Sequence, residues 1–181
     1  MNTIADTLSP QPAADSNLFT LFHPRSVAFI GASERPNTPA SRGLRNCLRH
    51  GFKGGLYPIN PKYAELFGVP CYKGIADLPE VPELVMIALS SEMTLNAVAE
   101  CRAAGVKTVV VCSAGWEEQG REGVERARRL QQIMDGAQMR MLGPNCLGAG
   151  NPGEGFSLGY NSSFESMAHA RRGRVGLVTQ S

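Results

Sequence analysis

A glycine and two small residues follow the first short apolar run of the sequence, a pattern typical of nucleotide-binding sites. The first run, residues 26–30, is followed by glycine, alanine and serine at positions 31–33. A glycine at the end of a strand lets the backbone approach an anion, and the start of a following helix can bind phosphate. Because residues 31–43 match neither GxGxxG nor GxxxxGK[ST], this loop alone indicates either a nucleotide site or a structural turn.

The second apolar run ends before Asn60-Pro61-Lys62. An NAD site is expected to place an acidic residue here, where it holds the ribose hydroxyls. Lys62 instead favours a ligand with an additional phosphate near the ribose, which NADP and coenzyme A both carry. A solvated surface lysine is the alternative interpretation.

Three further residues near the ends of later apolar runs have chemistry that the sequence leaves open. Trp116, the single tryptophan, either covers an apolar part of a ligand or packs on the next helix. Asn145 either binds a ligand or caps its own turn. Cys146 has no histidine near it in the sequence, so a role as a catalytic nucleophile is not favoured.

Apolar runs alternate with helical patterns, and this order predicts the elements that position these residues. The predicted strands cover residues 26–31, 55–60, 84–89, 106–112 and 140–143. Helical spacing covers residues 41–50, 93–104 and 118–134, with Leu48 and Val124 on the inner faces. The sequence therefore predicts an α/β fold, a doubly wound open parallel sheet over residues 20–150 with ligands at the carboxyl ends of its strands.

Composition and charge argue against several classes of protein. The 181 residues are 43% hydrophobic with a formal charge of +2, which gives no basic surface for nucleic acid or an anionic membrane. The longest apolar runs are far shorter than the roughly 20 residues of a membrane span. Five scattered cysteines without CxxC or CxxH spacing do not favour a zinc site. Their odd number, with no signal peptide, predicts a cytoplasmic location.

The ordered set of motifs resembles the N-terminal CoA-binding domain of NDP-forming acyl-CoA synthetases. This superfamily includes the succinyl-CoA synthetase alpha subunit and the ADP-forming acetate–CoA ligases. The matching motifs are PRSVAFIGAS at 24–33, GFKGGLYPINP at 51–61, GVPCY at 68–72, SAG at 113–115 and MLGPNCLG at 141–148. The succinyl type has an acidic residue where this chain has Ala114, so the chain is more similar to the acetate type.

The resemblance implies coenzyme A as the cofactor and assigns its binding to residues at the strand ends, with no catalytic and no metal-binding residue. The implied CoA-binding residues are Gly31, Ala32, Ser33, Lys62, Ser90, Cys112, Ser113, Ala114 and Asn145. The expected organisation is a disordered tail over residues 1–17, a Rossmann-like CoA-binding domain over 18–150 and a connection over 151–172 that is partly packed on a surface. Residues 173–181 resemble the first strand of a second, flavodoxin-like domain, so we expect the chain to be a fragment.

The family reaction joins a carboxylic acid to CoA while ATP becomes ADP and phosphate, through an acyl phosphate and a phosphohistidine. The resemblance places that histidine beyond Ser181, and it implies ATP and Mg²⁺ only in the full-length enzyme. It further implies a carboxylic acid substrate, an ATP-grasp module or subunit and an oligomer, with neither nucleic acid nor membrane as a partner. The fragment alone is expected to bind CoA and to be inactive.

Three alternative functions remain open at this level. A domain of this type also regulates protein lysine acetyltransferases, which residues 1–181 cannot distinguish from ligases. A stand-alone CoA-binding or redox-sensing regulator would need a DNA-binding domain, and neither a helix-turn-helix nor a basic stretch precedes Asn17. An NADP oxidoreductase is the least favoured, since GxGxxG is missing.

Overall fold

The computed structural model describes residues 17–35, 37–166 and 176–179. The strands in this part are β1 (Ser26–Ile30), β2 (Gly55–Ile59), β3 (Glu65–Leu66), β4 (Val69–Pro70), β5 (Leu84–Ile87), β6 (Thr108–Val111), β7 (Arg140–Leu142), β8 (Gly150–Asn151) and β9 (Phe156–Ser157). The helices are α1 (Asn17–Phe22), α2 (Pro39–His50), α3 (Ser91–Ala103), α4 (Arg121–Met134) and α5 (Ser162–Glu165).

Five of the strands form one parallel sheet in the order β2-β1-β5-β6-β7. Their register is level, since Ile30 pairs with Ile59 on one side and with Ile87 on the other, and Ile87 pairs with Val111. The carboxyl ends of neighbouring strands therefore meet along one edge of the sheet. The predicted doubly wound parallel sheet is confirmed.

The central strands are apolar on both faces because helices cover both faces. Every residue of β1, β5 and β6 is buried. One face packs against residues of α1 and α2 and against a returning segment that contains Phe156 and Leu158. The other face packs against α3 and α4. Pro58 lies in β2, at the edge of the sheet, where a missing N–H is tolerated.

The prediction that Leu48 and Val124 lie on the buried faces of their helices is wrong. Leu48 in α2 is 39% exposed and Val124 in α4 is 53% exposed. In α4 the buried positions are Gly123 and Leu130, and a Cβ atom at Gly123 would collide with the carbonyl of Trp116. The absence of a side chain thus brings this face of α4 inward. The helix also begins at Arg121, later than predicted, because Glu117–Gln119 form a separate 3-10 turn.

Residues 149–158 add to the core beyond the predicted end of the domain at residue 150. Phe156 and Leu158 are fully buried in the cluster that covers α2, and the Asn46 Nδ2 atom donates to the carbonyl of Gly159 at 2.9 Å. The first part of the predicted connection over residues 151–172 is therefore packed on the sheet domain.

The remaining predictions concern the two ends of the chain, a disordered tail and a terminal strand. The predicted tail, apart from Asn17, lies outside the described residues. Of the predicted strand at 173–181, only residues 176–179 are described. They form no strand, and Leu177 and Val178 are exposed.

The described residues contain neither a membrane span nor a metal centre. None of the helices in this part of the chain combines the length and the apolar character needed to cross a bilayer. Over the same residues, no cluster of three or more His, Cys, Asp or Glu side chains is arranged to hold a metal ion.

Candidate functional site

A series of hydrogen bonds connects the carboxyl ends of the five parallel strands. Between β2 and β1, the Asn60 Nδ2 atom donates to the carbonyl of Ala32 at 2.8 Å. Between β1 and β5, the N–H of Ala88 donates to the carbonyl of Ile30 at 3.0 Å. These contacts bring the predicted residues after β1 and β2 next to the end of β5.

The series continues across the second half of the sheet. Thr94 lies in the first turn of α3, and its hydroxyl donates to the carbonyl of Ser90 at 2.9 Å. The same hydroxyl lies 3.0 Å from the Ser113 Oγ atom at the end of β6. The N–H of Asn145, after β7, donates to the carbonyl of Ser113 at 3.1 Å. We call these connected strand ends, residues 31–33, 60–62, 88–90, 112–116 and 143–146, the rim.

The turn after β1 needs a glycine. Gly31 has a φ of 92°, and a Cβ atom there would collide with the carbonyl of Ala88 on the neighbouring strand end. Since L-residues with side chains rarely adopt this φ, both the conformation and the close approach favour glycine. The backbone of β1 therefore passes directly over the end of β5, with no side chain between them.

Two hydroxyl groups of the α2 N-terminus hold the same turn. The Ser41 Oγ atom accepts from the N–H of Ser33 at 3.0 Å and donates to its carbonyl at 2.8 Å. Thr38 is the N-cap of α2, and its Oγ1 atom lies 2.6 Å from Ser41 Oγ. Ser41 is fully buried, so the helix start and the β1 turn form one rigid unit.

α2 approaches the sheet closely and also contacts the returning segment. A Cβ atom at Gly43 would lie 2.8 Å from the Met86 Sδ atom, so a larger residue at position 43 would require the Met86 side chain to move. Arg42 donates to the carbonyl of Tyr160 at 2.8 Å and to the Asn37 Oδ1 atom at 3.1 Å. This guanidinium connects the loop after β1 to residues 156–160.

Lys62 projects from the β2 end of the rim. Its N–H donates to the Asn60 Oδ1 atom at 3.0 Å, which fixes the turn, and its side chain is exposed. Within the described residues, the ammonium group has no ion-pair partner. The turn therefore presents a positive charge that an anionic ligand can bind.

The cysteines of the rim do not have the character of nucleophiles. Burial, with a smaller contribution from the neighbouring Cys146, raises the pKa of the Cys112 thiol to about 12. Burial also raises the pKa of Cys146, which the N–H of Gly148, donating to the Cys146 Sγ atom at 3.3 Å, lowers in part. Neither thiol is a thiolate near neutral pH, which agrees with the sequence-based argument against Cys146 as a nucleophile. The Cys112 side chain belongs to the core below the rim.

The structure decides between the alternatives for Trp116. Its indole is only 3% exposed and packs in the core between the sheet and the helices α3 and α4. The indole Nε1 atom donates to the carbonyl of Ser113 at 2.6 Å. Trp116 therefore packs inside the protein, and its ring stiffens the loop after β6 instead of covering a ligand.

Asn145 adopts a left-handed conformation, with a φ of 57°, which asparagine tolerates better than most residues. Its side chain is exposed and makes no hydrogen bond within the part of the chain that the structure describes. The backbone shapes the turn, and the side-chain amide remains available to a ligand.

Several residues that organise the rim are missing from the sequence-based prediction. Thr94, Ser41 and Thr38 connect strand ends and helix starts, and Glu118 and Arg126 contact the loop after β6. The order Thr38-Pro39 before a helical pattern is a recognisable N-cap signal for the first helix start. No local pattern predicts the other contacts, since they depend on how helices pack against neighbouring strand ends.

A depression lies at the opposite edge of the sheet, at the amino ends of β6 and β7. Its lining includes Arg102, Lys107 and Met139. It shares no residue with the rim, so binding at one edge can be distinguished from binding at the other.

Comparison with known proteins gives one family and a group of relatives. A family model described as a CoA binding domain matches residues 25–152. The ADP-forming acetate–CoA ligase II of Archaeoglobus fulgidus is 34% identical over 164 residues, which cover 91% of this chain and 24% of that protein. The ADP-forming acetate–CoA ligase of Methanocaldococcus jannaschii is 33% identical over 167 residues, covering 92% of this chain and 22% of that protein. The chain thus spans about a quarter of the length of these relatives.

A solved structure has the same architecture. The dinucleotide forming acetyl-coenzyme A synthetase 1 of Ca. Korarchaeum cryptofilum, in complex with phosphate and ADP, matches with a TM-score of 0.74 and 36% identity. The match covers 79% of this chain and 30% of that chain. Because the family model matches well over half of its residues, the chain belongs to the family of CoA binding domains.

Proposed function

We propose that this chain binds coenzyme A along the rim. The observation that carries the proposal is the hydrogen-bonded series that gathers five parallel strand ends on one edge, in a chain that belongs to the CoA binding domain family. In open parallel sheets, ligands bind at the carboxyl ends of the strands.

The residues of the rim fit the chemical groups of coenzyme A. Its pyrophosphate needs close backbone approach, which suits the Gly31 turn, and a helix N-terminus, which suits the start of α2. Its 3′-phosphate needs a cation, which Lys62 supplies. Its amide-bearing arm needs donors and acceptors, which suit Asn145 and the small residues Ser113 and Ala114. When bound, CoA supplies the thiol that accepts an acyl group.

The role of Lys62 can be tested with a pair of ligands that differ in one phosphate. We expect Lys62→Ala to weaken CoA binding about tenfold, the value of one charge-assisted hydrogen bond, and to leave dephospho-CoA binding unchanged. Isothermal titration calorimetry gives both dissociation constants.

Lys53→Ala is the matched control, since Lys53 is an exposed lysine that precedes β2, at the other edge of the sheet. It should not change the binding of either ligand. If Lys62→Ala weakened CoA and dephospho-CoA equally, Lys62 would not bind the 3′-phosphate.

Direct measurement of CoA binding to the chain tests the proposed function. Titration of the folded chain with CoA should give a saturable heat with one site. No heat at millimolar CoA, from a sample whose circular dichroism and cooperative unfolding confirm the fold, would end the proposal.

We also propose that the region belongs to an acid–thiol ligase that converts ATP to ADP and phosphate, through an acyl phosphate and a phosphohistidine outside these residues. The support is that the curated relatives are named ADP-forming acetate–CoA ligases. A protein that joins this region to an ATP-grasp module should convert ATP to ADP and phosphate over many turnovers only when CoA and a carboxylic acid are both present. Release of AMP and pyrophosphate would contradict this proposal.

Expectations on domain organisation, oligomeric state and location accompany the ligase proposal. We propose that residues 18–150 form the CoA-binding domain, that residues 151–172 lead to a second domain beginning near residue 173, and that the enzyme is an oligomer. We also propose a cytoplasmic location, because all five cysteines are free thiols, as expected in a reducing compartment.

A further inference from the structure

The loop after β6, residues 113–116, is held by charged side chains from the segment that follows it. The N–H of Gly115 donates to the Glu118 Oε1 atom at 2.5 Å. The carbonyl of Gly115 accepts from the Arg126 Nε atom of α4 at 3.0 Å. Both polar groups of this glycine therefore point toward the protein and are not available to a ligand.

Other peptide groups of the loop are used in the same way. The carbonyl of Ser113 accepts from the Trp116 indole and from the N–H of Asn145. The carbonyl of Trp116 accepts from the N–H of Gln119 at 2.8 Å. Ala114 is exposed, and within the described residues neither its N–H nor its carbonyl has a hydrogen-bond partner.

Residue 115 cannot hold the loop by itself. Its φ is 101°, and a Cβ atom there would lie 2.8 Å from the Ser91 Oγ atom at the start of α3. The position thus requires glycine, which loses more conformational freedom on ordering than any other residue. Contacts from outside the loop are needed to keep one conformation before a ligand binds.

Glu118 and Arg126 differ from their charged neighbours in what they contact. The Arg126 side chain is 19% exposed, whereas Arg128 is 57% exposed and pairs with Glu125 on the outer face of α4. Glu117, next to Glu118 in the same 3-10 turn, makes no side-chain hydrogen bond within the described part of the chain. Glu118 and Arg126 thus contact the loop after β6, whereas Glu117 and Arg128 do not.

We propose that Glu118 and Arg126 are positioning residues of the CoA site. They turn the peptide groups of Gly115 inward, so that the free N–H and carbonyl of Ala114 face the ligand as a donor and an acceptor. This inference rests on the proposed function, and it adds residues that lie behind the rim. The ligand groups that Ala114 would bind are amides or hydroxyls, which pair with a donor and an acceptor side by side.

The test compares each positioning residue with its neighbour in the full chain. Glu118→Ala and Arg126→Ala should each raise the dissociation constant of CoA about tenfold, because a mobile loop must be ordered on binding. Glu117→Ala and Arg128→Ala should leave it within about twofold of wild type. Calorimetry measures binding, and thermal unfolding confirms that each variant is folded.

A conservative variant and a spectroscopic probe separate positioning from a general structural effect. Glu118→Gln keeps an oxygen acceptor for the Gly115 N–H, so it should bind CoA within about threefold of wild type. The fluorescence of Trp116, the single tryptophan, should change on CoA binding in wild type and Glu118→Gln. In Glu118→Ala without CoA, the Trp116 fluorescence should already differ from that of wild type, because the Gly115 N–H has lost the carboxylate that accepts its hydrogen bond.

The outcomes distinguish failure of the proposed CoA binding from failure of the positioning roles of Glu118 and Arg126. If wild type binds no CoA, the proposed function fails and this inference fails with it. If wild type binds CoA and folded Glu118→Ala and Arg126→Ala bind equally well, only the inference fails. An equal loss in Glu117→Ala would also overturn it, because the loss would then not depend on the contact with Gly115.

Discussion

The two loops that begin at β1 and β6 are held in place by different chemistry. The turn after β1 is held by neutral groups, the buried hydroxyl of Ser41 and the amide of Asn60. The loop after β6 is held by a carboxylate and a guanidinium, Glu118 and Arg126, which lie near the surface. Both loops also depend on a glycine that lets a neighbouring element approach.

Because of this difference, the two loops should respond differently to pH. Hydroxyl and amide groups do not titrate near neutral pH, so the β1 turn should keep its shape over a wide pH range. Glu118 accepts hydrogen bonds as a carboxylate, so the β6 loop should depend on pH. The substitutions below test each half of the comparison, beginning with the largest expected effect.

Gly31→Ala should destabilise the protein more than any other change considered. The side chain adds backbone strain at a φ of 92° and a collision with the Ala88 carbonyl, together about 4 kcal/mol. Urea unfolding followed by circular dichroism measures the loss.

Gly51→Ala is the control for strain alone, since Gly51 has a φ of 75° and nothing within 4 Å of an added Cβ. It should cost about 1 kcal/mol. If the two variants were equally stable, the close contact between the ends of β1 and β5 would not constrain the turn.

Gly123→Ala is the corresponding change behind the β6 loop. The added Cβ collides with the Trp116 carbonyl, which should cost about 2 kcal/mol after the better helix propensity of alanine is included. Trp116 fluorescence should shift in the same variant. Val124→Ala, one residue further on the exposed side of α4, should stay within about 0.5 kcal/mol of wild type. A stable Gly123→Ala with unchanged fluorescence would contradict the packing described.

Ser41→Ala tests the neutral network of the β1 turn. The loss of the hydroxyl leaves the N–H and carbonyl of Ser33 without their partner, which should cost about 1.5 kcal/mol. The cost should be the same at pH 7 and in mild acid, because no group in this network titrates. Ser162→Ala in α5, an exposed serine, is the control and should be neutral. A pH-dependent cost would assign an ionisable group to this turn.

The fold could be predicted from the sequence because its signals are local and redundant. β-Branched runs such as Thr108–Val111 suit strands buried on both faces, and their alternation with helices requires a parallel sheet. The strand-end rule then identified the rim, including Lys62 and Asn145. The burial of Val124 was predicted wrongly because helical periodicity does not reveal that Gly123 packs under Trp116.

The contacts that hold the rim together could not be predicted in the same way. Thr94 bonds to a residue on a different strand end, and Arg126 reaches back across the start of α4. Such pairings depend on the packing distance between elements, which no spacing in the sequence encodes. Phe156 and Leu158 were assigned to a connection because glycine and polar residues surround them, although both lie in the core.

The smallest effect expected is the acid sensitivity of the β6 loop. Hydrogen bonds from the N–H groups of Gly115, Glu118 and Trp116 lower the pKa of Glu118, and Arg126 lowers it further. A lowered pKa in the folded state means that the stabilising contribution is present above the unfolded value of about 4.3 and is lost as pH falls below it. Wild type should therefore exceed Glu118→Gln in stability at neutral pH, with the difference shrinking in acid.

Urea unfolding of both proteins between neutral pH and about pH 3.5 measures this difference, which lies in the window set by the carboxyl pKa. Glu117→Gln is the control and should show no such trend. A difference that stays constant over this range would mean that the charge of Glu118 does not hold the loop.

The central claim is that coenzyme A binds along the rim, and amide NMR of the full chain during a CoA titration tests it most directly. The account predicts saturable shifts at Gly31, Ser33, Ala114 and Asn145, with Lys107 and Met139 at the opposite edge unchanged. Shifts confined to that opposite edge, or an unchanged spectrum at millimolar CoA, would contradict it.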